Sequence, residues 1–239
     1  DQNRMENRMV CRDRQTAFLP KLAQGVSCLI LMNPGISVHK KRIAVLASGR
    51  GSNFQAVIDA IAAGDIPAIC IGLITDNPRA YAIERARAAD VPVTVIDYAR
   101  FPSKAAYEEV LLAAMRNCRA DLFVLAGYMR ILGPAIVHEF PGRIMNIHPA
   151  LLPAFAGLHA QRQAIEYGVK VAGCTVHLVD EGTDTGPIVI QRCVPVLPDD
   201  DESTLADRIL IEEHKALPLA VKLFCEDRLE VTGRKVRIR

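Results

Sequence analysis

From residue 42 onward the sequence alternates short apolar runs with segments of helical period, and this alternation constrains the fold more than any other feature. Several of the runs are apolar on both faces, which is typical of strands buried in a parallel sheet. We therefore predict an α/β fold with a doubly wound, mostly parallel sheet and a partly antiparallel C-terminal portion. The predicted domain covers 42–239 and has two halves, 42–140 and 141–239.

The predicted elements follow from the period of the apolar residues and from the glycines and prolines between them. Predicted strands are 42–47, 68–74, 93–96, 121–126, 143–148, 173–179 and 187–196. Predicted helices are 53–63, 81–89, 103–118, 134–139, 158–167 and 203–225, the last interrupted or kinked at Pro218. A small hairpin is predicted over 229–238.

Residues 1–41 are predicted to be a poorly ordered extension that carries no chemistry, although a signal peptide or presequence stays an alternative. Residues 1–42 hold eight Lys and Arg against three Asp and Glu, whereas the remaining residues hold 21 against 24. A mildly acidic body without Trp argues against a nucleic-acid partner. No apolar run approaches the ~18 residues of a membrane span, so we expect no membrane partner either.

The seven cysteines are scattered and never form a C-x-x-C pair. This pattern indicates reduced thiols in a cytoplasmic protein, and it matches neither a disulfide framework nor a zinc site.

The strand predicted at 143–148 carries two polar residues at its end, Asn146 and His148. Side chains two apart on a strand share a face, and Pro149 ends the strand directly after the histidine. Ligands of open α/β sheets bind at the carboxyl ends of strands. An amide donor and a group that titrates near neutral pH therefore indicate a site here, with a satisfied polar pair as the alternative.

The segment from Ser48 to Asn53 has the sequence SGRGSN and lies between the first strand and the first helix. Glycines let the backbone approach a ligand, and the start of a helix presents free N–H groups to an anion. We expect a phosphate at Gly51, Ser52 and Asn53, with a ligand-free glycine turn as the alternative. Phe54 stands where the third glycine of a dinucleotide loop belongs, and no Walker loop is present.

The turn from Asp180 to Pro187 is acidic and broken by glycines. Its spacing does not match a calcium loop, and we predict no metal. A plain surface turn is one interpretation. The other is that one carboxylate turns inward to face His148, favours its protonated form, and so provides an acid for a developing oxyanion, with Asn146 as a second donor. Such a set suits acyl transfer to an amine, which requires no serine or cysteine nucleophile.

Taken together, several segments resemble the phosphoribosylglycinamide formyltransferases, folate-dependent enzymes of purine biosynthesis. These segments, in chain order, are Ser48–Asn53, Ala126–Leu132, Asn146–Pro149 with Leu151–Pro153, Gly157–His159, and Asp184 in its loop. The resemblance covers residues 42 to about 230 and implies a Rossmann-like formyltransferase fold.

The resemblance also implies roles for individual residues. Asn146, His148 and Asp184 match the catalytic set, in which His148 and Asn146 stabilise a tetrahedral intermediate and Asp184 keeps His148 charged. Gly51, Ser52 and Asn53 match the residues that hold the ribose phosphate, and Glu213 matches the carboxylate that binds the ribose hydroxyls. The residues that match the site of the cosubstrate 10-formyltetrahydrofolate are Lys104, Met129, Arg130, Ile131, Leu132, Asn146 and Asp180.

The resemblance implies small-molecule substrates, glycinamide ribonucleotide and a reduced folate, for a monomer or homodimer. Lys104 departs from the family pattern, because relatives often have an arginine there that can bind a carboxylate with two hydrogen bonds. Ala154 and Ala156 replace polar and proline residues and put the stiffness of their loop in doubt.

Three other functions are compatible with parts of the pattern. A formyltetrahydrofolate deformylase has a longer N-terminal regulatory domain and lacks the phosphate loop. A methionyl-tRNA formyltransferase needs a further RNA-binding domain and a basic surface. A non-catalytic nucleotide-binding module has no need of Asn146, His148 and Asp184 together.

Overall fold

The strands of the main sheet lie within residues 40–239, the part of the chain that the computed structural model describes. In chain order they are β1 (Lys41–Leu46), β2 (Ala68–Thr75), β3 (Val93–Val95), β4 (Leu122–Leu125), β5 (Ile144–His148), β6 (Val171–Leu178) and β7 (Ile188–Pro195). Their spatial order is β3-β2-β1-β4-β5-β6-β7. The strands β1 to β5 are parallel, whereas β6 pairs antiparallel with both β5 and β7. The predicted fold class is therefore confirmed, including its antiparallel C-terminal portion.

Helices cover both faces of this sheet. They are α1 (Ser52–Ala62), α2 (Ala82–Ala88), α3 (Lys104–Cys118), α4 (Pro134–Glu139), α5 (Ala160–Tyr167) and α6 (Glu202–Cys225). One buried cluster joins Phe54 of α1 and Leu217 of α6 to the sheet, and the cluster on the other face contains Leu111 of α3 and Ile136 of α4. A separate two-stranded hairpin, β8 (Leu229–Thr232) with β9 (Lys235–Ile238), closes the chain as predicted.

The predicted boundaries lie within two residues of the observed ones. The helix α6 is not interrupted at Pro218, and the neighbouring Leu217 and Val221 are fully buried in the core. The helix α5 begins at Ala160 and not at residue 158, since His159 has a left-handed φ of 57°. A 3₁₀ helix at Tyr98–Arg100 was missed; the side chain of its N-cap Asp97 accepts a hydrogen bond from the amide of Ala99.

The sheet order reverses between β1 and β4, so the connections that follow these two strands leave a crevice between them. Two hydrogen bonds join the connections across it. The amide of Ser48 donates to the carbonyl of Gly127 at 3.1 Å, and the hydroxyl oxygen of Ser48 accepts from the amide of Met129 at 2.9 Å. The predicted phosphate loop and the segment after β4 are therefore parts of one site.

Residues 1–39, nearly all of the predicted extension, lie outside the described residues, as do Cys11 and Cys28. The five cysteines that are described are free thiols. Between residues 40 and 239 no helix has the length and apolar character needed to cross a bilayer.

Candidate active site

A cleft of about 500 Å³ opens beside this crevice. Its walls come from the segment after β4, the end of β5, the acidic turn after β6 and one side of α6. Asn146, His148 and Asp184 all line it, so the structure brings together the three residues predicted to be catalytic. No cluster of three or more His, Cys, Asp or Glu in the described part of the chain is arranged to hold a metal ion.

His148 lies at the end of β5 with 5% of its surface exposed, and both of its ring nitrogens face acceptors. Nδ1 lies 3.3 Å from Oδ2 of Asp184, and Nε2 lies 2.9 Å from the carbonyl oxygen of Phe155. A carbonyl and an ionised carboxylate can only accept hydrogen bonds, so these contacts suit an imidazole that carries protons on both nitrogens. Such a ring is a hydrogen-bond donor and an acid.

Asp184 turns inward from the acidic turn, at a left-handed φ of 55°. Burial opposes its ionisation, but hydrogen bonds from His177 and from the amide of Gly157, together with the charges of His148 and His177, outweigh burial and lower the pKa of Asp184. The Gly157 amide donates to Oδ2 at 2.9 Å. The carboxylate is therefore held in its charged form beside His148.

His177 belongs to the same cluster and was missed in the sequence. It pairs directly with Asn146 across the antiparallel strands β5 and β6 and is 2% exposed. Its Nδ1 lies 3.0 Å from the carbonyl oxygen of Leu178, and its Nε2 lies 3.1 Å from Nδ2 of Asn146 and 3.6 Å from Oδ1 of Asp184. Only the antiparallel register puts His177 opposite Asn146, and that register was not predicted for this strand.

The amide of Asn146 is held by the same groups. Besides its contact with His177, Nδ2 lies 3.4 Å from Oδ1 of Asp184. Asn146 and His148 thus share one face of β5, and the carboxylate of Asp184 bridges their side chains.

At the opposite end of the cleft lies the predicted phosphate loop. Gly51 has a φ of 68°, and a Cβ atom there would lie 2.7 Å from Cβ of Ala82, so glycine is required on both counts. Ser52 opens α1 and Asn53 follows it, with Arg50 and Asn53 lining the cleft. The loop therefore presents the start of a helix to the cleft.

Glu213 of α6 meets this loop although 160 residues separate it from Asn53. Nδ2 of Asn53 donates to Oε2 of Glu213 at 2.7 Å, and both residues are 8% exposed. Burial raises the pKa of Glu213, an effect that the hydrogen bond from Asn53 partly offsets. One of the two N–H groups of the Asn53 side chain therefore binds Glu213, which leaves the other for a phosphate. Oδ1 of Asn53 is buried without a partner in the described residues.

The segment Met129–Leu132 forms one wall of the cleft. Met129 and Ile131 are 65% and 59% exposed, whereas Leu132 is buried. Arg130 forms an ion pair with Asp76. This wall therefore offers apolar side chains and backbone groups to a ligand.

Two further predicted residues and one loop lie around this wall. Asp180 lines the cleft and accepts from the hydroxyl of Thr185 at 2.6 Å. Lys104 is not among the lining residues; it opens α3, where Nζ lies 3.5 Å from Oε1 of Glu108. Ala154 and Ala156 flank Phe155, which has a left-handed φ of 55°.

Comparison with known proteins decides the family. The model of the family described as formyl transferase matches residues 41–221. The chain belongs to the formyl transferase family. Among curated relatives of this formyl transferase is the phosphoribosylglycinamide formyltransferase of Mycobacterium tuberculosis, 48% identical over 193 residues that cover 81% of this chain and 89% of the relative.

A second relative is much longer. The formyl transferase is 47% identical over 190 residues, 79% of its length, to the trifunctional purine biosynthetic protein adenosine-3 of Drosophila melanogaster, but it spans only 14% of that protein.

Solved structures give the same picture. The glycinamide ribonucleotide transformylase 1 of Symbiobacterium toebii is 50% identical, with a TM-score of 0.81, and the match covers 84% of this formyl transferase and 94% of that chain. A formyltetrahydrofolate deformylase of Pseudomonas syringae is 26% identical with a TM-score of 0.78, and the match covers 83% of this chain and 66% of the deformylase.

Proposed function

We propose that the protein transfers the formyl group of 10-formyltetrahydrofolate to the amine of glycinamide ribonucleotide, a step of purine biosynthesis. The observation that carries the proposal is that Asp184 contacts His148 in the same cleft that reaches the loop at Arg50 and Asn53. A substrate that carries both a phosphate and an amine fits such a cleft, because one end can hold the anion while the other end holds the reacting group.

The phosphate of the ribonucleotide binds at the start of α1, where the backbone N–H groups of Gly51, Ser52 and Asn53 are free to donate. The carboxylate of Glu213, which the side-chain amide of Asn53 holds in place, accepts from the ribose hydroxyls. Arg50 adds positive charge beside the phosphate. These contacts leave the glycinamide amine directed toward β5.

The folate binds along Met129–Leu132, and Asp180 lines the same cleft. Lys104, which lies outside the cleft lining, is assigned to the folate tail by the family resemblance alone. Side chains of Met129 and Ile131 offer apolar surface to a planar ring, and backbone groups of the segment offer hydrogen bonds. The cleft volume of about 500 Å³ is within the range of sites for molecules of this size.

The chemistry takes place at the cluster on β5. As the amine attacks the formyl carbon, negative charge develops on the formyl oxygen, and donors preorganised toward that oxygen lower the barrier. The ring of His148 donates from Nε2, which exchanges the Phe155 carbonyl for the formyl oxygen, and Asn146 donates from its amide. The ionised Asp184 contacts Nδ1 of His148 and accepts the proton that the amine loses, through water. The tetrahedral intermediate collapses when the bond between the formyl carbon and N10 of the folate breaks, N10 takes up the proton, and tetrahydrofolate leaves. No covalent intermediate with the protein is needed.

The deformylase is the principal alternative, because it uses the same folate and has a similar fold. The lower identity of 26% and the presence of the loop at Gly51–Asn53 favour the transferase, since hydrolysis with water needs no phosphate site. A cytoplasmic location and a monomeric or homodimeric state remain predictions.

The test measures the absorbance change that follows deformylation of 10-formyltetrahydrofolate, with and without glycinamide ribonucleotide. We expect the change only when the ribonucleotide is present. Equal rates with and without it would identify a hydrolase and overturn the proposal.

A further inference from the structure

We infer that Asp76 is a positioning residue for the folate site, holding the segment Met129–Leu132 in place through Arg130. This inference rests on the proposed function, because it assigns the segment to folate. Asp76 follows β2 directly and does not line the cleft.

The contact between the two residues is an ion pair with one buried partner. Nε of Arg130 donates to Oδ2 of Asp76 at 2.8 Å. The side chain of Asp76 is 3% exposed and that of Arg130 is 41% exposed. A buried carboxylate cannot follow a mobile partner, so the pair fixes the position of the guanidinium relative to β2.

An aromatic ring holds the other side of the guanidinium. The central carbon of Arg130 lies 3.8 Å from the centroid of the Tyr98 ring, within the range of cation–π contacts. Tyr98 is in turn attached to Asp76, because its amide donates to the Asp76 carbonyl at 3.1 Å. Asp76, Tyr98 and Arg130 therefore form a closed set of contacts.

This set continues into the residue that precedes the folate wall. The rings of Tyr98 and Tyr107 meet edge to face with centroids 5.0 Å apart, and the Tyr107 hydroxyl is hydrogen-bonded to the hydroxyl of Tyr128. Burial raises the pKa of Tyr107 to about 12, so both hydroxyls keep their protons at neutral pH. Tyr128 is thus attached to α3, and Arg130 to the residue that follows β2, with Met129 between them.

The anchors leave the wall in a defined orientation. Hydrogen bonds at Met129, from its amide to Ser48, and at Gly133, from its amide to Glu108 at 2.8 Å, complete the support. The side chains of Met129 and Ile131 then point toward the cleft. The guanidinium of Arg130 also lines the cleft, held by Asp76 at Nε and by Tyr98 on its face, so the position of this wall depends on Asp76.

The experiment uses two cosubstrates to distinguish positioning of the segment Met129–Leu132 from direct binding of the folate tail. Asp76→Asn and Arg130→Met are each assayed with 10-formyltetrahydrofolate and with 10-formyltetrahydropteroate, which lacks the glutamate. We expect each substitution to raise KM on the order of tenfold for both cosubstrates, with kcat and the KM for glycinamide ribonucleotide unchanged within about twofold. A KM increase confined to the glutamate-bearing cosubstrate would show that Arg130 binds the tail, and an unchanged KM for both would also overturn the inference.

A third variant of the contact set and a matched control complete the experiment. Tyr98→Leu removes the stacking but leaves the ion pair, so it carries the same prediction with a smaller increase in KM if Asp76→Asn does not fold. Asp200→Asn is the matched control, because Asp200 also forms a buried ion pair, with Arg208 at 2.6 Å, but does not line the cleft. It should leave both folate KM values unchanged. A wild-type protein that fails to transfer formyl contradicts the proposed function, whereas an active wild type with unaltered variants contradicts only this inference.

Discussion

Nδ1 of His148 lies 3.3 Å from Oδ2 of Asp184, and this contact joins the end of a buried strand to a turn on the far side of the cleft. The turn reaches inward because Asp184 adopts a left-handed backbone conformation and because its carboxylate accepts a hydrogen bond from Gly157. Three separate segments of the chain therefore meet at one carboxylate.

Replacing either partner should abolish most of the turnover without unfolding the protein. We expect Asp184→Asn and His148→Ala each to lower kcat on the order of a hundredfold or more, as the loss of an oxyanion donor or a tuned acid does. Steady-state kinetics with both substrates saturating give kcat, and thermal unfolding checks the fold. A kcat close to that of the wild type in both variants would contradict the assignment.

His177 should set the acid limit of activity. Its hydrogen bond contributes to the lowered pKa of Asp184, so His177→Phe should raise that pKa toward its ordinary value. Because the ionised carboxylate is the active form, activity is lost as pH falls through this pKa, and the acidic limb of the profile of kcat/KM against pH should move to higher pH. An acidic limb at the wild-type position would show that His177 does not act on Asp184.

The ionised Glu213, proposed to bind the ribose, should lower the free energy of unfolding. Its folded pKa is raised above the ordinary value of 4.5, so the folded protein binds the proton more tightly and stability falls as pH rises through the interval between the two values. Glu213→Gln should therefore increase the free energy of unfolding at pH 7, with the gain disappearing below about pH 4. Denaturant unfolding at both pH values measures this.

The same variant should impair substrate binding. A hydrogen bond to a charged acceptor contributes about 1.5–3 kcal/mol, so we expect the KM for glycinamide ribonucleotide to rise at least about tenfold. A variant that is more stable but binds the ribonucleotide normally would place the ribose elsewhere.

Gly51→Ala tests the phosphate loop. The left-handed φ of 68° costs a side chain about 1–2 kcal/mol. The contact with Ala82 adds to this cost, so the thermal midpoint should fall and the KM for the ribonucleotide should rise. The double variant Gly51→Ala with Ala82→Gly removes the Cβ contact but neither the contact with Cα of residue 82 nor the strain, and it should recover only a small part of the stability. Wild-type stability in the single variant would mean that the loop adopts another conformation.

The fold could be read from the sequence because its signals are local. Apolar runs coincide with β1, β2, β4 and β5, and glycines or prolines follow each of them. The alternation of strands and helices can therefore be predicted from local sequence patterns. His159 is a non-glycine residue with a left-handed φ, and α6 continues through a proline, so both features run against the usual preferences of their residue types. Those two features could not be derived from a local pattern.

The site could be predicted only in part, for a similar reason. The spacing of Asn146 and His148 on one predicted strand indicated a site, and the glycine loop could be recognised from its composition. His177 and Asp76 carry no such signal. The role of His177 depends on the register of β6 against β5, which places it opposite Asn146. The role of Asp76 depends on its ion pair with Arg130, which lies in the segment after β4. Residue roles that arise from long-range pairing stay hidden until the strands are aligned.

The most direct test of the account follows the formyl carbon itself. The protein is given 10-formyltetrahydrofolate labelled with ¹³C at the formyl group, together with glycinamide ribonucleotide, and the products are examined by nuclear magnetic resonance. We predict that the label appears in the formamide of the ribonucleotide, in equal amount to the tetrahydrofolate formed, and that Asp184→Asn nearly abolishes this transfer. Label recovered as formate, or transfer at the wild-type rate by Asp184→Asn, would contradict the account.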